Sequence, residues 1–159
     1  MRKVLALLSF VLAAGAVLTG AAGAQESAVR VAVALEPPTL DPTANAAEAV
    51  DIVVYQNVFE GLTRIDQNGG VEPGLATGWT ISEDGLTYTF TLAENVVFHD
   101  GSSFDAEDVK FTFDRILAED SLNAQKALYE PIESVTVIDP QTVEFKLERP
   151  NGTFLFDIG

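Results

Sequence analysis

The sequence has 159 residues, of which 24 are acidic and 9 basic, giving a formal net charge of −15 at pH 7. A surface this negative repels phosphate backbones and anionic lipid headgroups, so we exclude nucleic acid and anionic membrane faces as partners. The sequence contains no cysteine, which excludes disulfides, thiol catalysis and lipid attachment through a thiol.

The amino terminus has the three parts of a secretory signal peptide. Arg2 and Lys3 are cationic, residues 4–18 form an uncharged aliphatic run, and Ala22-Gly23-Ala24 supplies small side chains before the predicted cleavage. The apolar run is too short to span a bilayer comfortably, which disfavours an uncleaved anchor. We therefore predict that residues 1–24 are removed. The remaining chain has 7 basic and 24 acidic residues, a formal charge of −17, and is long enough for one domain with its own core.

The next elements are a strand, a loop and a helix. Residues 29–34 are rich in valine and predict a first strand. The prolines within residues 36–42 force extended backbone, so a fixed loop follows. A helix is predicted to begin near Glu48 and to end at Gly61, which stands where a C-terminal cap belongs. On its apolar face, which we expect to lie in the core, are Val50, Val54 and Val58, with Tyr55 and Phe59 beside them.

Alternating side chains predict a group of antiparallel strands after this helix. A turn at residues 67–70 and a short strand ending near Ile81 come first. Residues 87–92 then alternate three large apolar side chains with three threonines, so one face is expected to be buried and the other wet. Residues 135–138 and 142–147 read as a hairpin with the same alternation.

A helix is predicted between these strand groups. Asp105 can cap its start, and Glu107 and Asp108 suit the positive end of the helix dipole. Helix starts select acids for structural reasons, so a metal or general-acid site in this cluster is the less favoured interpretation. The predicted apolar stripe consists of Ala106, Val109, Phe113, Ile116 and Leu117.

Catalytic and metal-binding patterns are scarce. His99 is the sole histidine, and before an Asp-Gly turn we expect it to be a hydrogen-bonded structural residue. Residues 66–77 lack the ligands of a calcium loop, and there is no phosphate-cradling or nucleophile-elbow motif. Asn151-Gly152-Thr153 fits a glycosylation sequon, which matters only in a eukaryotic secretory route. We therefore predict no enzyme activity, no cofactor and no metal site.

Several sequence blocks, in order and spacing, resemble one protein family. They are Pro38-Thr-Leu-Asp-Pro42, Val58-Phe-Glu-Gly-Leu62, Trp79-Thr-Ile-Ser-Glu-Asp-Gly85, Tyr88-Thr-Phe-Thr-Leu92, Val97-Phe-His-Asp-Gly101 and Phe104-Asp-Ala-Glu-Asp-Val109. Together they resemble the family 5 extracellular solute-binding proteins, the peptide, oligopeptide and nickel binding proteins of ABC importers. Ala93 departs from the pattern, since relatives usually carry a basic residue there.

The resemblance implies a mixed α/β (α+β) chain with a periplasmic-binding-protein type II-like fold, in which two lobes close on a ligand. Residues 25–60 would begin lobe 1, residues 61–150 would form a small extra domain, and residues 151–159 would be a truncated continuation. Because relatives are several times longer, the chain is expected to be an N-terminal fragment that lacks the second lobe.

The resemblance also implies a function. The chain would belong to a substrate-binding component that captures a solute, peptides foremost and nickel chelates among the alternatives, and delivers it to the permease subunits of an ABC importer. A cleaved signal peptide without a cysteine to lipidate implies a soluble monomer of a Gram-negative periplasm. A non-binding truncated remnant and a secreted hydrolase stay open as other interpretations.

The same resemblance places a wall of the ligand cleft at the loop after Pro42. Small side chains there would leave the backbone open to main-chain hydrogen bonds with a peptide. A plain helix-start loop, capped by Asn45 or Glu48, fits as well. The candidate ligand-binding residues are Thr43, Asn45, Ala46, Ala47 and Glu48.

Overall fold

The computed structural model describes Arg30 and residues 32–42, 48–55 and 57–159. Of the described residues, Arg30 and Ala32 fall in a first unit and Val33–Gly159 in a second, compact one. The elements of the second unit in chain order are helix α1 (Glu48–Val50), a π-helical turn (Asp51–Tyr55), strands β1 (Thr63–Ile65), β2 (Val71–Pro73), β3 (Ala76–Ile81) and β4 (Thr87–Leu92), helices α2 (Ala106–Leu117) and α3 (Lys126–Tyr129), strands β5 (Ile132–Asp139) and β6 (Thr142–Leu147), and helix α4 (Phe154–Asp157).

Four strands form one antiparallel sheet in the order β3-β4-β6-β5. At its centre, Phe90 of β4 lies opposite Trp79 of β3 and Val143 of β6. The inward side chains of β4 and β6 are buried, whereas the β4 threonines stay partly or fully exposed. The predicted strands ending near Ile81 and at residues 87–92 and the predicted hairpin are therefore confirmed, with β5 beginning earlier than expected, at Ile132.

Aromatic side chains form the core between the sheet and α2. Phe145 of β6 is fully buried and has ring contacts with Phe113 at 4.8 Å, Phe90 at 5.6 Å and Phe154 at 5.6 Å between centroids. Burial of one large apolar side chain contributes about 1.5–3 kcal/mol, and an aromatic pair adds about 0.5–1.5 kcal/mol. One continuous apolar core therefore joins α2, the sheet and α4.

The start of α2 is fixed by a capping box. The Asp105 carboxylate accepts from the Glu107 N–H at 2.9 Å, and the Asp108 carboxylate accepts from the Asp105 N–H at 2.9 Å. At the other end, the Lys126 ammonium donates to the Ala118 carbonyl oxygen. The predicted cap is confirmed, so the acidic cluster around Asp105 has a structural explanation.

A second, two-stranded sheet of β1 and β2 joins the main body through the segment around α4. The Leu62 N–H donates to the Ile158 carbonyl oxygen at 3.1 Å, and the buried Thr63 hydroxyl donates to the Leu155 carbonyl oxygen at 2.6 Å. A Cβ at Gly61 would lie 2.7 Å from the carbonyl carbon of Gly159. Gly61 is therefore needed for a close backbone approach, and the prediction that it caps a helix is wrong.

The predicted helix from Glu48 to Gly61 is much shorter in the structure. After α1 the backbone widens into the π-helical turn, and the Val54 carbonyl oxygen accepts from the N–H groups of Val58 and Phe59. A π turn breaks the 3.6-residue period, so residues beyond Tyr55 leave the buried face. Val50 and Val54 are buried as expected, but Tyr55, Val58 and Phe59 are 38%, 48% and 49% exposed, so their predicted place in the core is wrong.

The first predicted strand is also absent from the described residues. Arg30 and residues 32–34 pair with no described strand and are exposed, while Val29 and Val31 lie outside the described residues. A β-branched run favours extended backbone, but a strand is stable only when a neighbour satisfies its hydrogen bonds. No described segment supplies that neighbour.

Candidate functional site

The loop predicted to form the ligand wall lies mostly outside the described residues. Thr43, Asn45, Ala46 and Ala47 are not described, and Glu48 is the first residue of α1. The structure does show what holds the backbone on either side. The assignment of these five residues to ligand binding stays a prediction.

The backbone before the loop is held by contacts from two other elements. The Tyr55 hydroxyl donates to the Pro42 carbonyl oxygen at 3.4 Å. An Arg115 Nη2 atom, near the end of α2, lies 3.7 Å from an Asp41 Oδ2 atom. Both members of this ion pair are about half exposed, so the pair contributes no more than about 1 kcal/mol. The pair therefore affects the orientation of residues 41–42 more than the stability of the fold, because it connects them to α2.

The backbone after the loop is held by burial. Ala49 and Val50 of α1 are 8% and 0% exposed, and Val54 of the π-helical turn is 1% exposed. Each of these side chains loses its water contact on folding, which fixes α1 against its neighbours. The loop therefore runs between two anchored flanks.

A shallow depression of about 340 Å³ opens beside the π-helical turn. It is mixed in character, with exposed apolar side chains next to an amide, a carboxylate and an imidazole. Sequence patterns do not identify it, because its two walls come from separate parts of the chain. The lining residues are Asn57, Val58, Phe59, Glu60, Val97 and His99.

His99 does not have the structural role predicted for it. The side chain is exposed, and within the described part of the chain its imidazole makes no hydrogen bond. The neighbouring turn is stabilised instead by Asp100, whose carboxylate accepts from the N–H of Ser102 at 2.9 Å and from its hydroxyl at 2.7 Å. Because Asp100 satisfies the turn, His99 is left in solvent, and the prediction of a hydrogen-bonded histidine is wrong.

Three aspartates close turns in the same way. The Asp66 carboxylate accepts from the Asn68 and Gly70 N–H groups, both at 2.7 Å, and these bonds, Gly70 first, hold its pKa below the usual value. Hydrogen bonds from Ser82 and Leu86 lower the pKa of Asp84, and those from Ser102 lower the pKa of Asp100. The loop after Asp66 is thus a backbone turn, as the sequence predicted.

Neither a metal cluster nor a membrane span occurs within residues 32–42, 48–55 and 57–159. In these ranges no group of three or more histidine, aspartate or glutamate side chains lies close enough together to hold a metal ion. None of the helices described has the length and apolar character needed to span a bilayer.

Comparison with known proteins identifies the class to which this fold belongs. The sequence profile of the bacterial extracellular solute-binding proteins, family 5 middle region, matches residues 70–158. The chain belongs to this family. The predicted family membership and the predicted mixed α/β fold class are both confirmed.

Three proteins that are similar to this chain show which members of the family it resembles. The glutathione-binding protein GsiB of Salmonella paratyphi A is 39% identical over 127 residues, covering 80% of this chain and 25% of GsiB. The crystal structure of NikZ from Campylobacter jejuni in complex with Ni(L-His) matches with a TM-score of 0.70 and 32% identity, covering 78% of this chain and 24% of NikZ. The oligopeptide-binding protein AppA of Bacillus subtilis, in complex with a nonapeptide, matches with a TM-score of 0.69 and 30% identity, covering 77% of this chain and 24% of AppA. The chain thus spans about a quarter of the length of these proteins.

The Asp41–Arg115 pair has no clear signal in the sequence. Asp41 stands out only as part of the Pro38 to Pro42 block, and Arg115 only as a polar position on α2. A cation near a helix end is a weak signal by itself. Only the fold shows that the Arg115 guanidinium reaches Asp41, just before the predicted ligand wall.

Proposed function

We propose that this chain is part of the substrate-binding component of an ABC importer that captures a peptide-like solute outside the cytoplasm. The observation that carries the proposal is the similarity of 80% of the chain to the glutathione-binding protein GsiB. The backbone similarity to AppA, which was crystallised with a nonapeptide, supports the same solute class. A nickel–histidine complex, as in NikZ, is the alternative solute.

In this proposal the loop of residues 43–48 supplies one wall of the ligand cleft. Thr43, Asn45, Ala46, Ala47 and Glu48 would contact the solute, largely through the main chain, so that side-chain selectivity stays loose. The anchoring of Pro42 by Tyr55 and the burial of Val50 support the proposal, since a ligand wall needs fixed flanks. Closure of a second lobe would bury the solute.

The remaining features of the proposal follow from this class of protein. The mature chain would begin at Gln25, remain soluble and monomeric in the periplasm, and deliver its solute to permease subunits. It would have no catalytic activity. Membership of a family of solute-binding proteins supports this.

A chimera tests the proposal directly. Residues 25–158 of this chain would replace the matching quarter of Salmonella GsiB, and calorimetry would measure the binding of reduced glutathione, of a mixed peptide set and of Ni(L-His). We expect the chimera to bind a peptide solute, and the isolated chain to bind none with useful affinity because it spans only about a quarter of the length of the relatives that it matches. A folded chimera that binds none of these solutes would contradict the proposal.

Loop variants of the same chimera test the site. Ala46→Pro and Ala47→Pro each remove a main-chain N–H donor and are expected to weaken binding several-fold while the melting temperature stays unchanged. Thr136→Ala, an exposed position of β5, is the matched control and is expected to leave binding unchanged. Equal affinities for all three variants would remove residues 43–48 from the site.

A further inference from the structure

We propose that Asn68 is a site of spontaneous deamidation, and that the fold protects the second Asn-Gly pair of the chain, at Asn151. In both pairs the following glycine lacks a side chain, so its backbone nitrogen can approach the asparagine amide carbon without a steric block. The two pairs differ in what the fold does to the asparagine side chain. This inference goes beyond solute binding and does not depend on it.

Asn68 lies at the tip of the β1–β2 hairpin. Its side chain is exposed, and its contact within the described chain is with the Asp66 carboxylate. Gly69 has a positive φ of 81°, and nothing lies within 4 Å of the position a Cβ would take. The Gly69 N–H donates to the Asp66 carbonyl oxygen at 3.0 Å. Ring closure therefore has to open the hydrogen bond of the Gly69 N–H and the contact of the Asn68 side chain with Asp66, both at an exposed hairpin tip where local opening is frequent.

Asn151 is held on both sides of its amide group. Its Oδ1 accepts from the Thr153 N–H at 3.0 Å and from the Thr153 hydroxyl at 2.9 Å, and its Nδ2 donates to the Asp157 carboxylate at 3.4 Å. The segment also leads directly into the buried Phe154. The Gly152 N–H has no hydrogen bond within the described part of the chain, so the protection comes from the side chain of Asn151. Rotation of the Asn151 amide group toward the Gly152 nitrogen has to break these three hydrogen bonds.

The reaction needs only water. After losing its proton, the Gly69 nitrogen attacks Cγ of Asn68; the new N–Cγ bond forms, the bond from Cγ to the side-chain nitrogen breaks, and ammonia leaves with the proton. Water then opens the succinimide ring. Cleavage of the N–Cγ bond gives aspartate, and cleavage of the original main-chain bond gives isoaspartate.

Both products would disturb the hairpin. Aspartate at position 68 adds a negative charge beside Asp66, in a chain whose formal charge is already −15. Isoaspartate adds a methylene group to the backbone between Asp66 and Gly70. The Gly70 N–H donates to the Asp66 carboxylate, and the Gly70 carbonyl oxygen accepts from the Asp66 N–H. The longer backbone would move both of these groups away from their partners.

Peptide mass spectrometry of the full chain tests the inference. The protein would be incubated at mildly alkaline pH in native buffer, with samples digested at intervals. We expect the peptide containing Asn68 to gain the mass of an amide-to-acid conversion several-fold faster than the peptide containing Asn151. The Asn68 rate should rise with pH, because hydroxide removes the proton of the Gly69 N–H.

The two sites control for each other. In concentrated urea the rates are expected to converge, because both asparagines then lie in unfolded chain. Asn68→Gln should abolish the fast conversion, while Asn151→Gln should leave it unchanged. Equal rates in native buffer, or faster conversion at Asn151, would overturn the inference whether or not the protein binds a solute.

Discussion

The leading segment, residues 33–60, and the sheet with α2 differ in how far their apolar side chains are buried. In the sheet, the inward residues of β4 and β6 are almost fully buried, from Tyr88 at 6% exposure to Phe145 at 0%. In the leading segment, Leu35, Leu40 and Phe59 are 74%, 67% and 49% exposed. The difference lies in the packing partners, because β4, β6 and α2 pack against one another, as the ring contacts of Phe145 with Phe90 and Phe113 show.

This contrast shows what an apolar pattern specifies. Periodicity determines which side chains share a face, but burial requires a second surface. In the sheet the second surface is α2, while in the leading segment only Ala49, Val50 and Val54 find one among the described residues. The relatives that the chain matches are about four times as long. An apolar pattern shared with them therefore need not be buried against residues of this chain.

The largest expected effect comes from removing the ring at the centre of the sheet body. Phe145→Ala leaves a cavity among Phe90, Phe113 and Phe154 and should lower the free energy of unfolding by about 3–5 kcal/mol. Urea denaturation of the full chain measures it. Phe111→Ala, on the exposed face of α2 at 67% exposure, is the matched control and should change it by less than about 0.5 kcal/mol.

The second prediction concerns the residue at which the buried apolar face of the leading segment ends. Val54→Ala removes a fully buried side chain and should cost about 1–3 kcal/mol. Val58→Ala, one turn later and 48% exposed, should cost less than about 0.5 kcal/mol. Equal losses in urea denaturation would mean that Val58 is buried and that the π-helical turn does not end the apolar face.

A smaller effect is expected at the start of α2. Asp105→Ala removes a side-chain cap and should lower the free energy of unfolding by about 1 kcal/mol. Asp105→Asn keeps an acceptor oxygen and should restore most of the loss, since asparagine caps as well as aspartate. Failure of asparagine to rescue would show that charge near the helix dipole, and not the hydrogen bond, is the main contribution.

The smallest expected effect is in the pH dependence of stability. Hydrogen bonds from Gly70 and Asn68 lower the pKa of Asp66 below 3.8 in the folded chain, so the folded state binds this proton less readily than the unfolded state. The stabilisation is therefore present above pH 3.8 and is lost as pH falls through the lowered pKa. Asp66→Asn should flatten the loss of stability in acid, as followed by urea denaturation at several pH values. An unchanged slope would count against the contribution of this turn.

The sheet and α2 could be predicted from the sequence because their signals are local. Asp105 lies next to the helix it caps, and the alternation through β4 stands within six residues. The close approach of Gly61 and Gly159 could not be predicted, since nothing in either neighbourhood indicates the other. The turn at Asp66 was predicted, but the short strands on either side of it were not, because each has only three residues.

The candidate site was predicted only through a family resemblance. Residues 43–47 have little periodicity and no catalytic side-chain pattern, so the sequence by itself gives a loop between a proline-rich stretch and a helix. The Asp41–Arg115 pair joins residues far apart in the chain. A contact of this kind depends on tertiary packing, which local sequence rules do not contain.

The pairing of Leu62 with Ile158 has a mechanical consequence. The chain passes the same point twice, and the hydrogen bonds from Leu62 to Ile158 and from Thr63 to Leu155 couple the two passes. These bonds clasp the segment around α4 onto the chain just before and within β1, so any movement of β1 away from α4 would first have to break the bonds made by Leu62 and Thr63.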